Sequence, residues 1–142
     1  MLAASTTTPN SSKEALTDNP IVIALVAWLV PGGGHFLQKR WLTGGLIFGI
    51  VWLMFVIAVL SGGAHYPGFG FAEGPLLYLL NLLGRLGNGL GALISFMIAS
   101  APVKDVAALA TFEYGGRFLE VAGLLNYLAA IDAVDIALGR KR

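Results

Sequence analysis

Ionisable side chains set within apolar stretches are the residues of this chain whose types and spacing could do chemistry. Asp132 and Asp135 lie three residues apart in NYLAAIDAVDIAL and share a helix face. Glu120 falls on roughly the same side when the helix advances by about 100° per residue. A charge at depth in a bilayer is costly and faces protein or water, so these acids need counterions. Arg85, Arg117, Lys39 and Arg40 are the candidates. One arrangement is a structural tether between the last apolar segment and the turn PGGGHFLQKR. The other is a proton or ion path in which Arg85, Asp132 and Asp135, with Asn81 and Asn88, line a polar track.

Nucleophilic and metal chemistry find less to work with. His35 follows a triple glycine and His65 sits in a separate aromatic loop. Two distant histidines with scattered acids do not make the three or four ligands that a metal site needs. With no cysteine there is no thiolate ligand or cysteine nucleophile. H-E-x-x-H, G-x-S-x-G and the P-loop lysine are all missing from the sequence. The expectation is therefore a non-enzymatic protein with no cofactor and no metal. A lipid-directed enzyme using His35 and an acid is the weakest alternative.

The elements that must position these side chains follow from composition. The chain has 142 residues, 56% hydrophobic and only 12% charged, about half the charged share of an ordinary soluble domain. A net charge of +1, with no basic face, argues against nucleic-acid binding. The reading is an all-α integral membrane protein: a polar disordered tail over 1–18 and a single membrane domain over 19–142. Its bundle has about four apolar helical segments, near 20–37, 41–60, 76–101 and 118–138. The first is interrupted at Pro31–Gly34, so it either kinks and continues or stops within the membrane. The second, Trp41–Leu60, is twenty residues without a charge and is the clearest span. In the third, Gly87–Gly89 offers a break. Val103–Gly116 reads as an amphipathic or interfacial stretch. Gly139 stops the fourth segment.

Small residues supply the packing signal. Gly87, Gly91, Ser95 and Ala99 recur every fourth position in the third segment, and Gly45 and Gly49 repeat the spacing in the second. Such faces let backbones approach closely in lipid. They serve packing within one bundle, self-association or a partner subunit. Orientation is open: with four spans the positive residues divide evenly, and the positive-inside rule does not choose.

The stretch PGGGHFLQKRWLTGGLIFG resembles the turn of the two-transmembrane-helix domain family, with Gly32, Gly34, His35, Phe36, Arg40 and Gly44 at similar places. Lys39 stands where that family commonly has glycine, and a long loop and an extra apolar segment separate the turn from the chain's end. NYLAAIDAVDIALGRK is similar to the family's closing aspartate within an apolar run, here Asp132. Together the two ends resemble a group of small bacterial membrane proteins of unknown function. The resemblance implies a compact helical module, involved in assembly, with no assigned reaction.

The expected role is a structural or accessory subunit of a larger complex in the cytoplasmic (inner) membrane, multi-pass, with lipid and other membrane subunits or its own copies as partners. A small oligomeric channel or transporter is the alternative.

Overall fold

The computed structural model describes residues 19–66, 74–101, 105 and 110–141. The tail over 1–18, the loop residues 67–73, most of the stretch 102–109 with Lys104, and Arg142 lie outside the described residues. Among the described residues there are six α-helices, one short 3-10 turn and no strand.

Helix α1 (Pro20–Leu29) starts as its sequence dictates. Pro20 occupies the first turn, and the Asn19 side chain accepts from the Ile21 N–H at 2.9 Å, satisfying a donor that the helix itself leaves open. It stops because Val30 precedes a proline and is held extended at φ −123°, ψ 112°. Gly32 then takes φ +76°, and a Cβ there would sit 2.3 Å from the Gly44 carbonyl oxygen, so both conformation and space demand glycine. The chain turns back through α2 (Gly33–Leu37), with Gly34 against Ala27 and Ile23. α1 and α2 therefore form a short hairpin.

Helix α3 (Trp41–Leu60) is the expected uninterrupted segment. A 3-10 turn (Gly63–His65) follows it. α4 (Pro75–Leu86) and α5 (Leu90–Ala99) come next, and α6 (Phe112–Ala137) closes the chain. α6 is the axis of the fold and packs against α1, α2, α3, α4 and the 3-10 turn. Its inward face is kept small by Gly115, Gly116, Ala122, Gly123, Ala130 and Ala133, all buried. Leu119 meets Phe55 and Ala58, and Gly115 touches Gly63, so α3 runs antiparallel to α6.

The third expected segment, 76–101, is two helices, bent by 112° at residues 87–89, where the sequence offers a break. Gly89 has φ +55°, which ends the helical path, and the Asn88 amide donates back to the carbonyls of Gly84 and Arg85 at 3.2 and 3.3 Å. The four small residues at fourfold spacing are divided by this bend. Gly87 ends α4, whereas Gly91, Ser95 and Ala99 belong to α5. α4 runs parallel to α6, with Gly84 beside Glu120 and Gly87 against Gly123. α5 then turns back towards the 3-10 turn, leaving a cleft between itself and α4. The fourth segment begins earlier than expected, at Phe112.

Two hairpins thus enter from opposite ends of α6 and meet halfway along it. A Cβ on Gly89 would lie 2.2 Å from the Trp28 carbonyl oxygen. α3 is long and apolar enough to cross a membrane, and α4 with α5 passes the same test only as a bent pair.

Candidate functional site

The polar side chains fall into three groups at three levels of α6. At the middle level, Asn126 is fully buried. Its Nδ2 donates to the carbonyls of Trp28 and Gly87, each at 2.8 Å. These are carbonyls at the C-terminal ends of α1 and α4, which helical hydrogen bonding leaves open. Trp28 Nε1 donates across the same junction to Leu86 at 3.1 Å. Asn88 Nδ2, one turn away, donates to Leu119 at 2.9 Å. The two Asn126 bonds thus close backbone acceptors exposed at broken helix ends, whereas the Asn88 bond ties the second break to a carbonyl inside α6.

At the C-terminal end of α6, His35 is completely buried and its Nε2 lies 3.1 Å from Asp132 Oδ2. Asp132 Oδ1 accepts from Lys141 at 2.6 Å, and the Lys141 ammonium is held above its ordinary value by that hydrogen bond first and by the carboxylate's charge second. Gln38 Nε2 donates to the Ala133 carbonyl at 2.6 Å. Arg140 pairs with Asp135 at 3.4 Å. The hairpin α1–α2 is therefore fastened to α6 by His35 and Gln38, side chains from its returning arm.

At the N-terminal end of α6, Arg117 donates to Glu120 at 3.0 Å and to Asn81 at 3.3 Å, and its guanidinium lies 5.6 Å from the centre of the Tyr66 ring. Arg85, buried on α4, donates to the Tyr66 carbonyl. This group joins α4, α6 and the chain after the 3-10 turn.

The structure brings His35 and Asp132 together, and Arg117 with Glu120. Glu120 and Asp132 lie on one helix but in separate groups. Arg40 precedes α3 and forms no ion pair among the described residues. Gly87 packs on Gly123, and Gly91 lies against Phe55. Ser95 donates to the Ala92 carbonyl at 2.9 Å and, with Ala99, lines a cleft of about 200 Å³ between α4 and α5. Around Gly45 and Gly49 a Cβ would meet nothing within 4 Å, so both face outward. No group of three or more metal-ligating side chains occurs among the described residues.

Asn126, Gln38 and Gly123 are the residues that sequence reasoning passed over. Asn126 was detectable as a lone amide within an apolar run, and Gly123 as a glycine on the same helix face.

Residues 22–142 match a family of unknown function, DUF6677, and the chain belongs to that family. No curated protein and no solved structure matches it.

Proposed function

We propose that the protein is a non-enzymatic integral membrane protein, a structural or accessory subunit of a larger complex in the cytoplasmic (inner) membrane. The observation that carries this reading is the inversion of polarity about its helices. Leu42, Leu53 and Leu60 on α3 are 79%, 61% and 77% exposed, and Leu128 and Ile131 of α6 are also exposed, whereas Asn81, Asn88, Glu120 and Asn126 are buried. Apolar surface on this scale is tolerated against lipid or protein, not water. The two breaks fit the same solvent: Pro31–Gly34 and Gly87–Gly89 are buried, and irregular backbone survives at membrane depth only when enclosed by protein.

Lengths agree with this assignment. By length, α3 and α6 span about 30 and 39 Å at 1.5 Å per residue, enough for a bilayer core of about 30 Å. α6, with Glu113, Arg117, Glu120, Asp132 and Asp135, is less apolar than α3 and is proposed to cross because its acids are paired or lie near its ends. α1 and α4 reach about 15 and 18 Å, close to half of it. The chain then has two crossings and two re-entrant hairpins, one from each side. Lys39, Arg40, Arg140 and Lys141 fall on one side, and Arg117 is the described cation towards the other, apart from the buried Arg85. By the positive-inside rule, this distribution among the described residues favours the first side as the cytoplasmic one.

The accessory role is supported by α3, whose outward face carries Gly45 and Gly49 in open space beside exposed Leu42, Leu46 and Leu53. A pull-down from mildly solubilised membranes through a C-terminal tag tests it. A stoichiometric membrane partner, lost with Gly45→Leu and Gly49→Leu, is the expected result. A strictly monomeric protein that captures nothing contradicts it.

One observation favours a channel or transporter instead: two discontinuous helices meet at mid-depth, the arrangement from which many transporter sites are built. A polar path from Arg85 to Asp132 and Asp135 would have to pass the closed Gly87–Gly123 contact and Asn126. Ion flux in proteoliposomes that Asn126→Ala alters would support this second reading.

A further inference from the structure

Between α1 and α6 runs a groove of about 460 Å³, walled by Leu25, Trp28, Tyr127, Ile131 and Val134. Its charged groups are confined to one end, where Asp135 and Arg140 line it. Trp28 marks the other end, at the junction held by Asn126. The groove thus extends from the charged end of α6 to its middle. This rests on the membrane reading above, in which that distance is the depth of the cytoplasmic leaflet.

An apolar trough of one leaflet's depth, with its charged groups, Arg140 and Asp135, at the mouth, has the polarity profile of a phospholipid. Arg140 is 70% exposed in its side chain and Lys141 58%. The Arg140–Asp135 contact is long at 3.4 Å and solvent-accessible, so it holds the guanidinium weakly. A planar guanidinium presents paired donors suited to phosphate oxygens; the neighbouring Lys141 is engaged by Asp132 at 2.6 Å and lies outside the lining. We propose that this groove is a binding site for an anionic phospholipid, with one acyl chain lying along Leu25, Ile131 and Val134 and the phosphate at Arg140. The charge at the mouth selects the headgroup, and the Trp28 end limits the depth of the chain.

The test uses full-length protein in phosphatidylcholine vesicles, with Trp28 as the only tryptophan (Trp41→Phe, Trp52→Phe), and a second variant retaining only Trp41, which is 68% exposed on α3. Brominated phosphatidylglycerol and brominated phosphatidylcholine are the quenching probes. The expected result is that Trp28 is quenched at a lower fraction of the glycerol lipid than of the choline lipid, and that Arg140→Gln leaves the quenching of Trp41, which follows Lys39 and Arg40, unchanged. Arg140→Gln should remove about fivefold of that preference, the weight of one interfacial cation. Val134→Phe, which fills the groove without touching charge, should reduce quenching of Trp28 by both lipids. Equal quenching of Trp28 by the two headgroups, or no quenching of Trp28 while Trp41 is quenched, overturns the proposal. A protein that neither floats with the vesicles nor shows quenching at Trp41 overturns the membrane reading, and the lipid site with it.

Discussion

The amide nitrogen of Asn126 donates to the Gly87 carbonyl at 2.8 Å, joining the middle of α6 to the broken end of α4. The same nitrogen reaches the Trp28 carbonyl of the other hairpin. One side chain therefore holds the apices of two hairpins that approach from opposite ends of the molecule. Neither carbonyl sits within a continuing helix, and both lie away from water, so the two donated bonds answer a need that the breaks create.

Asn126→Ala should destabilise the fold by about 1–3 kcal/mol for each carbonyl left without a donor. Asn126→Asp preserves shape but replaces the donor with an acceptor-only group when ionised, so it should be at least as harmful. Thermal unfolding in mild detergent measures both. A neutral Asn126→Asp would show that the junction is held by something else.

Gly87→Ala and Gly123→Ala place a methyl group 2.3 Å and 1.7 Å from the backbone oxygens of Gly123 and Gly84. Neither oxygen can move without displacing a helix, so each variant should lower the melting temperature or fail to accumulate. Gly45→Ala and Gly49→Ala meet nothing and should be neutral or stabilising by up to about 1 kcal/mol through helix propensity. The same melting series compares the four. Equal effects at all four positions would contradict the observed packing.

Lys141 has a raised folded value because it donates to Asp132. A raised value contributes stability that is complete below the ordinary lysine range and disappears as pH climbs through the folded value. The melting-temperature gap between wild type and Lys141→Gln should stay level to about pH 10 and close above it. A gap that persists at higher pH would assign the effect to packing of the lysine stem. Because Lys141 is exposed, added salt should narrow the gap.

Much of the local structure was legible because its causes are local. Asn19 and Pro20 announce the start of α1, Pro31 and the glycines after it announce its end, and Gly139 stops the last helix with φ +70°. The direction of the chain after Gly89 was not legible. It is set by contacts of Gly84 and Gly87 with Glu120 and Gly123, which lie on a helix distant in sequence. The fourfold spacing of Gly87, Gly91, Ser95 and Ala99 describes one face only if the helix continues, and it does not. Of the candidate site, side-chain spacing points to Arg85, Arg117, Lys39 and Arg40 as counterions of the acids, whereas the residue of the glycine-rich turn that lies against Asp132 is His35, at 3.1 Å. Asn126 escaped notice because its partners are backbone carbonyls 98 and 39 residues away, and backbone acceptors leave no signature in side-chain spacing.

The most direct test of the two-hairpin arrangement is the side from which single cysteines are labelled by a membrane-impermeant thiol reagent. The chain has no native cysteine, so Asn19→Cys, Lys39→Cys, Ser61→Cys, Ser100→Cys and Lys141→Cys each report one position. Two crossings with two re-entrant hairpins put residues 19, 39 and 141 on one side, the cytoplasmic one, and residues 61 and 100 together on the other. Labelling that separates 19 from 39 would mean that the first apolar segment crosses the membrane, labelling that separates 61 from 100 would mean that the third does, and either would contradict the arrangement.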